Sequence, residues 1–425
     1  MANYTEDELK GMSIHTLRVV LRSDFGGVPG IHNKNGLIAE ILRIQSGEVK
    51  PVRSPKGRKP LDEIPLLFNP EIAFAEDLER EDGGTVKGVF ELSSEGYGFL
   101  KDLNLQSSSK DIFVTKTIVS RFGLRMGDTV EGEYQVIKET GAPFLKTVSF
   151  VGGRDSQDSK QRRSFADLKQ IYPDEKIKTA HDSGAKALRA VDLFCPIGKG
   201  QRCLVVDEGG RCGRELLKQI AIGVELNQPL LDVFVLLVNS TPEYTNEIAE
   251  QVGTVTSVGT EESVEDTVRK IKLFFERAKR RVEAGSDVVL LVDSLSVIAQ
   301  IYDSYLQLSD QKSKQAEFDS GESFIKSQFT CVGNFGKGSS LTLIAGCDAQ
   351  YDGKVISALS PIATGTVKIS QGVGRRRREI DVDINGSFTV KDELLLSREE
   401  IELSDKLRED IASGNITLDE LYEEI

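Results

Sequence analysis

The 425-residue chain has no stretch approaching ~18 uninterrupted apolar residues, the length a membrane-spanning helix needs. It also has no CxxC pair. Its five cysteines (Cys195, Cys203, Cys212, Cys331 and Cys347) are scattered, and its three histidines (His15, His32 and His181) lie apart from them. No metal site is therefore expected. An odd number of cysteines fits free or buried thiols in a reducing compartment better than a disulfide framework. The opening Met1-Ala2-Asn3-Tyr4-Thr5-Glu6-Asp7-Glu8 lacks the basic start and apolar stretch of a signal peptide. The expectation is a cytoplasmic protein with no membrane partner. Positive charge is in deficit, with a net charge of −13. That argues against indiscriminate nucleic-acid binding. A local site is still allowed, because screening confines surface fields to ~8 Å at physiological salt.

The length suggests two to four domains. Residues 5–46 read as a small helical unit. Thr5-x-x-Glu8 is a capping-box pattern ahead of Leu9, Met12, Leu17, Val20 and Leu21, and helical spacing restarts over 34–42. The bland reading is a docking module; the sharper one is a weak nucleic-acid-binding helix pair. Residues 47–82 carry Pro51, Pro55, Pro60, Pro65 and Pro70 and a basic start at 50–59, as in a tether. Residues 83–152 hold short β-type runs at 85–92, 97–101, 111–114, 129–136 and 144–150. About five strands in so short a span suit an OB-type barrel. Residues 153–170 read as a second linker. From 171 to 396, apolar runs at 203–206, 233–238, 288–292 and 341–345 alternate with helical patterns at 214–226, 264–284 and 294–306. That alternation predicts an α/β domain with a mostly parallel sheet. An acidic helical tail follows over 397–425.

Within the barrel, Gly96-Tyr97-Gly98-Phe99-Leu100-Lys101 carries the first chemistry. Tyr97, Phe99 and Lys101 fall on one strand face by the period of two. Asp111-Ile112-Phe113-Val114 supplies another aromatic. Rings on a barrel face stack successive bases at ~1–3 kcal/mol each, and a lysine beside them meets phosphate. Ordinary core packing is the competing reading of the same rings.

The stretch resembles a cold-shock-type RNA-binding barrel, and it continues as Ser120-Arg121-Phe122-Gly123-Leu124-Arg125-Met126-Gly127-Asp128-Thr129-Val130-Glu131-Gly132. Further on stands Arg189-Ala190-Val191-Asp192-Leu193-Phe194-Cys195-Pro196-Ile197-Gly198-Lys199-Gly200-Gln201-Arg202, preceded by Tyr172-Pro173-Asp174-Glu175. Together these segments resemble the transcription termination factor Rho family. The resemblance implies a small helical domain, an OB-fold barrel and a RecA-like P-loop motor domain. It implies a homohexameric ring in which single-stranded RNA binds the barrels and Mg–ATP is hydrolysed at subunit interfaces. It places Tyr97, Phe99, Lys101 and Phe113 on the primary RNA-site positions, and Asp293 on the Walker B aspartate.

The motor motifs then depart from the family. A phosphate loop needs glycines for backbone N–H groups, a lysine for the β- and γ-phosphates, and a hydroxyl for Mg²⁺. The segment here is Asp207-Glu208-Gly209-Gly210-Arg211-Cys212-Gly213-Arg214-Glu215. One register puts Gly213 and Arg214 at the lysine and hydroxyl positions; a shift by one puts Arg214 and Glu215 there. Neither supplies Lys followed by Ser or Thr, and no GxxxxGK[ST] occurs elsewhere. Asp207 and Glu208 add negative charge, and one like-charge pair at ~6 Å and an effective dielectric of ~20 costs about 3 kcal/mol. Ser240 stands where the family has its catalytic glutamate, with Glu243 three residues on. Val297 and Gln300 replace arginines, and Val373 falls on the ungapped arginine-finger position. The family's RNA-gripping loop is rewritten at 309–315. The block Arg375-Arg376-Arg377-Arg378 is open to a subunit contact, an RNA contact or a solvated face.

Three functions compete. The first is an RNA-binding pseudo-motor that modulates termination, alone or with an active Rho, and touches the RNA polymerase complex. The second is a working ATP-dependent RNA translocase that uses Arg214 and Glu243 in new roles. The third is an interaction scaffold whose acidic C-terminus contacts a partner. The degenerate nucleotide set is Gly209, Gly210, Gly213, Arg214 and Asp293; no catalytic residue is assigned, and ATP with Mg²⁺ enters only through the resemblance.

Overall fold

The structure is a computed structural model. It describes residues 4–5, 9–10, 17, 34–46, 80–106, 111–138, 140–181, 186–207, 212–259, 261–308, 317–336, 339–349, 353–370, 380–417 and 420–421. Most of the expected 47–82 tether, the 309–315 segment and Arg375–Arg378 lie outside these residues.

Near the N-terminus, α1 (Lys34–Gln45) buries Leu37, Ile38, Ile41 and Ile44 in one cluster with Leu9 and Leu17. The i, i+4, i+7 spacing of those side chains puts one apolar stripe on the helix.

The barrel region contains β1 (Arg80–Leu92), β2 (Gly98–Lys101), β3 (Ile112–Val114), a short α2 (Lys116–Phe122), β4 (Thr129–Ile137), β5 (Pro143–Val151) and β6 (Arg154–Asp155). The strands form one sheet in the order β3-β2-β1-β4-β5-β6, closed by β3 onto β5. In the β1–β2 hairpin, Glu91 lies opposite Phe99 and Val89 opposite Lys101. Phe90 and Leu100, also opposite each other, point the other way into the core. Gly98 is required there: a Cβ on it would lie 2.4 Å from the Phe90 ring and 2.2 Å from the Glu91 carbonyl oxygen.

Beyond the barrel follow β7 (Lys176–Ile177), α3 (Lys186–Phe194), β8 (Ile197–Gly198), β9 (Arg202–Asp207), α4 (Gly213–Asn227), β10 (Asp232–Val238), α5 (Pro242–Ala249), β11 (Val255–Val258), α6 (Val264–Glu283) and β12 (Asp287–Val292). Then come α7 (Leu295–Leu308), α8 (Gly321–Thr330), β13 (Gly333–Asn334), β14 (Ser340–Asp348), α9 (Gly353–Leu359), β15 (Gly365–Ser370), β16 (Asp381–Val382), β17 (Phe388–Thr389) and α10 (Arg398–Ala412). The main sheet runs β11-β10-β12-β14-β9-β15-β16, and β9, β10, β11, β12, β14 and β15 are parallel to their neighbours among one another. Alternation splits its side chains between two cores. Leu204, Val206, Phe234, Leu236, Leu290 and Val292 face one layer, whereas Cys203, Val205, Val233, Val235, Val289 and Leu291 face the other. A parallel sheet covered on both sides demands such continuous apolar strands.

Residues 153–170, expected as a linker, are packed. Ser159 Oγ donates to the Phe122 carbonyl at 2.6 Å, and Arg162 forms a buried ion pair with Asp128. The Phe165 N–H donates to Glu283 at 2.7 Å. The polar composition that suggested a solvated linker is thus consumed in directed bonds. The expected acidic tail is likewise docked. Leu407 and Leu421 join the second core, and Arg408 donates to the Phe194 and Ser387 carbonyls.

Candidate functional site

On β2, Tyr97 and Phe99 keep part of their rings in solvent and meet edge to face, with centroids 5.9 Å apart and planes at 86°. Phe99 and Lys101 share a face, as the period of two predicts. Two of the four expected RNA-site residues, Lys101 and Phe113, are covered rather than exposed. Lys101 is only 8% exposed, with its ammonium 2.5 Å from Asp111 and 3.4 Å from Glu91. Glu91 is also held by Arg269 at 2.6 Å. Phe113 is 4% exposed, and its whole strand is buried. The sequence pattern could not separate a ring left in solvent from one that is covered.

The second site lies at the C-terminal ends of β9, β10 and β12, where open parallel sheets bind ligands. β14 separates β9 from β12 in the sheet. Gly209 and Gly210 lie outside the described residues. Helix α4 begins at Gly213, so Arg214 and Glu215 occupy its first turn. Gly213, Arg214 and Glu215 thus make up its opening, with neither a lysine nor a hydroxyl side chain among them. Asp207, at the end of β9, accepts the backbone N–H groups of Cys212 and Gly213 through one oxygen, Oδ2, at 2.7 Å each. Asp207 is 5% exposed.

Arg214 reaches across to β10 and β12. Its Nη2 donates to the Val238 carbonyl at 3.1 Å and stands 3.1 Å from Asp293 Oδ2, an ion pair rather than an aligned hydrogen bond. Asp293 Oδ1 accepts the Val238 N–H at 2.9 Å. Burial pushes the Asp293 carboxyl up to about 6, against the Arg214 charge and the backbone N–H groups that favour its ionised form. Tyr244 on α5 donates its hydroxyl to the Arg214 carbonyl at 2.9 Å, and burial raises its phenol. Glu215 is tied to Lys218 at 2.7 Å. The cavity between α4, α5 and these strands is about 10 Å³ and is lined by Arg214, Leu217, Tyr244 and Asp293 among others. That is room for roughly one water.

Residues 86–157 match the family model described as Rho termination factor, RNA-binding domain. Over 346 residues the chain is 31% identical to the transcription termination factor Rho of Bacillus subtilis (strain 168), covering 79% of this chain and 81% of that protein. The chain belongs to the transcription termination factor Rho family. The Rho of Rhodopirellula baltica is 29% identical over 391 residues, which span 88% of this chain and 75% of that one. Among solved structures, a prototypical ATPase from a type III secretion system aligns at 15% identity with a TM-score of 0.49, over 64% of this chain and 78% of that one.

Within the Rho frame, the remaining motor positions have structural occupations. Ser240 donates to the Thr241 carbonyl and accepts from the Thr245 hydroxyl. Glu243 is fully exposed in the first turn of α5, where hydrogen bonds hold its carboxyl below the usual range. Val297 packs against the first core, and Gln300 is exposed on α7. Val373 and Arg375–Arg378 lie outside the described residues. At the opening of α4, Arg214 is followed by Glu215 rather than a hydroxyl, and two N–H groups are bonded to a carboxylate. Sequence reading counted Asp207 only as nearby repulsion. Its position at the end of an apolar strand, two residues before the first glycine, was the signal that it points at the helix it precedes.

Proposed function

We propose that this Rho-family protein binds single-stranded RNA through its barrel and acts in termination or its regulation, with a motor-type domain that does not turn over ATP. The observation that carries this reading is the first turn of α4. It carries Gly213, Arg214 and Glu215, which in neither register supply a lysine followed by a hydroxyl, and Arg214 is engaged with Asp293. Phosphoryl transfer depends on positioning and charge stabilisation by several groups acting together. The absence of a lysine and a hydroxyl at 213–215 supports the loss of two of those groups. The family's RNA-binding domain is present, and the Tyr97–Phe99 pair offers stacking surface on it.

We place the protein in the family's ring assembly, where such a subunit tunes an active Rho rather than driving RNA itself. An RNA-stimulated ATPase assay, run alone and mixed with an active Rho, tests both statements. The expected result is no turnover alone and altered turnover in the mixture. Turnover at ordinary motor rates, lost on Asp293→Ala, overturns the first statement. Unchanged activity of the mixture overturns the second.

A further inference from the structure

Around the opening of α4, Asp207 bonds two backbone N–H groups and Arg214 pairs with Asp293. In a phosphate loop the first N–H groups of the helix point at an anion, and the helix dipole favours negative charge there. Here the N–H groups of Cys212 and Gly213 both converge on Asp207 Oδ2. The anion is therefore part of the chain, delivered by the strand that leads into the loop. Asp207 is nearly inaccessible, which makes it a fixed occupant rather than a mobile surface group.

The positive charge is supplied in the same way. Asp293 has a side chain only 3% exposed, and a buried carboxylate is stable only when paired or hydrogen-bonded. In the nucleotide-bound motor fold, the sheet-end aspartate at this place works through a metal cation. Arg214 brings a guanidinium to within 3.1 Å of it and a second bond to the Val238 carbonyl. Tyr244 fixes the arginine from the other side through its backbone carbonyl. The three strand ends are thereby linked to α4 and α5 by side chains alone.

We propose that Asp207 and Arg214 are built-in substitutes for the phosphate anion and the cation, and hold the motor-type domain in one nucleotide-independent state. This rests on the reading of an impaired motor and adds its physical cause. Nucleotide then has to displace a bonded carboxylate and an ion-paired arginine before it can bind. RNA binding is accordingly indifferent to ATP and ADP.

Calorimetry on the full-length protein with Mg–ATP and with inorganic phosphate tests the proposal, comparing the wild type with Asp207→Ala. The wild type is expected to bind neither, while D207A, with two N–H groups released, binds phosphate at least about tenfold more tightly. If D207A does not fold, Asp207→Ser, whose hydroxyl is too short to reach both N–H groups, takes its place, and the same gain is required of it. Mg–ATP binding by the wild type without turnover overturns the substitution and leaves the impaired motor standing. Binding with turnover overturns both. A folded variant that gains no phosphate binding also overturns the proposal, since the carboxylate is then not what closes the site.

Discussion

Phe113 sits in a three-residue strand whose side chains are all buried, while Phe99 keeps part of its ring in solvent. The two should therefore respond differently to truncation. Phe113→Ala is expected to cost about 3–5 kcal/mol of stability, as for other buried rings. Its RNA affinity, measured where it is still folded, should change little by comparison. Tyr97→Ala with Phe99→Ala should leave thermal stability nearly intact and weaken single-stranded RNA at least about tenfold, given ~1–3 kcal/mol per stacked base. Fluorescence anisotropy alongside a melting curve separates the two; equal RNA loss from both variants would sink the assignment of Tyr97 and Phe99. Lys101 belongs to a chain of charges, Asp111–Lys101–Glu91–Arg269, that fixes β2 from beneath. Asp293 shows the same point in the second site: its raised carboxyl follows from depth in the sheet, which no residue pattern states.

At the scale of elements, the segments most diagnostic of the family are architectural. Gly200 has φ +87, and a Cβ there would lie 2.0 Å from the Asn334 backbone nitrogen. Gln201 accepts the Gly198 N–H at 2.5 Å and reaches the Thr364 carbonyl and the Thr389 hydroxyl, fixing the entry to β9. Gly127 does comparable work between α2 and β4. It has φ +89, and a Cβ would come within 2.4 Å of the Arg277 backbone nitrogen on α6. Nearby, Arg125 pairs with Glu283 at 2.5 Å. Gly127→Val meets both backbone strain and a backbone clash, so it should destabilise by roughly 2–3 kcal/mol or more. Chemical denaturation measures this; a wild-type midpoint would show that the loop can move off α6 at no cost.

The whole molecule carries a net charge of −13, so RNA binding must be local. With Lys101 engaged by carboxylates, stacking rather than phosphate neutralisation should dominate. Each phosphate neutralised on a single strand contributes about 0.7 to the slope of log affinity against log salt. A shallow slope, of magnitude about 1–2, is expected for the intact protein. A slope several times steeper would mean that the basic segments at 50–59 and 375–378 grip the backbone.

Much of this organisation was legible in the chain itself. Alternating apolar runs at 203–206, 233–238 and 288–292 became β9, β10 and β12 within a residue at each end, because a strand buried on both faces has to be continuously apolar. The loss of lysine and hydroxyl from the phosphate loop was equally plain in the letters. The edge strand β11 and the inner strand β15 were not read, since brief half-polar runs do not distinguish a strand from a loop. What only the tertiary structure decided was pairing and burial: that Phe113 is covered, that α4 starts at Gly213, that Asp207 meets the helix it precedes, and that Arg214 meets Asp293 across 79 positions of sequence. Sequence sets periodicity and the inventory of charges. Which charge meets which donor depends on the order of strands in the sheet, and that order is fixed only when the two cores close around it.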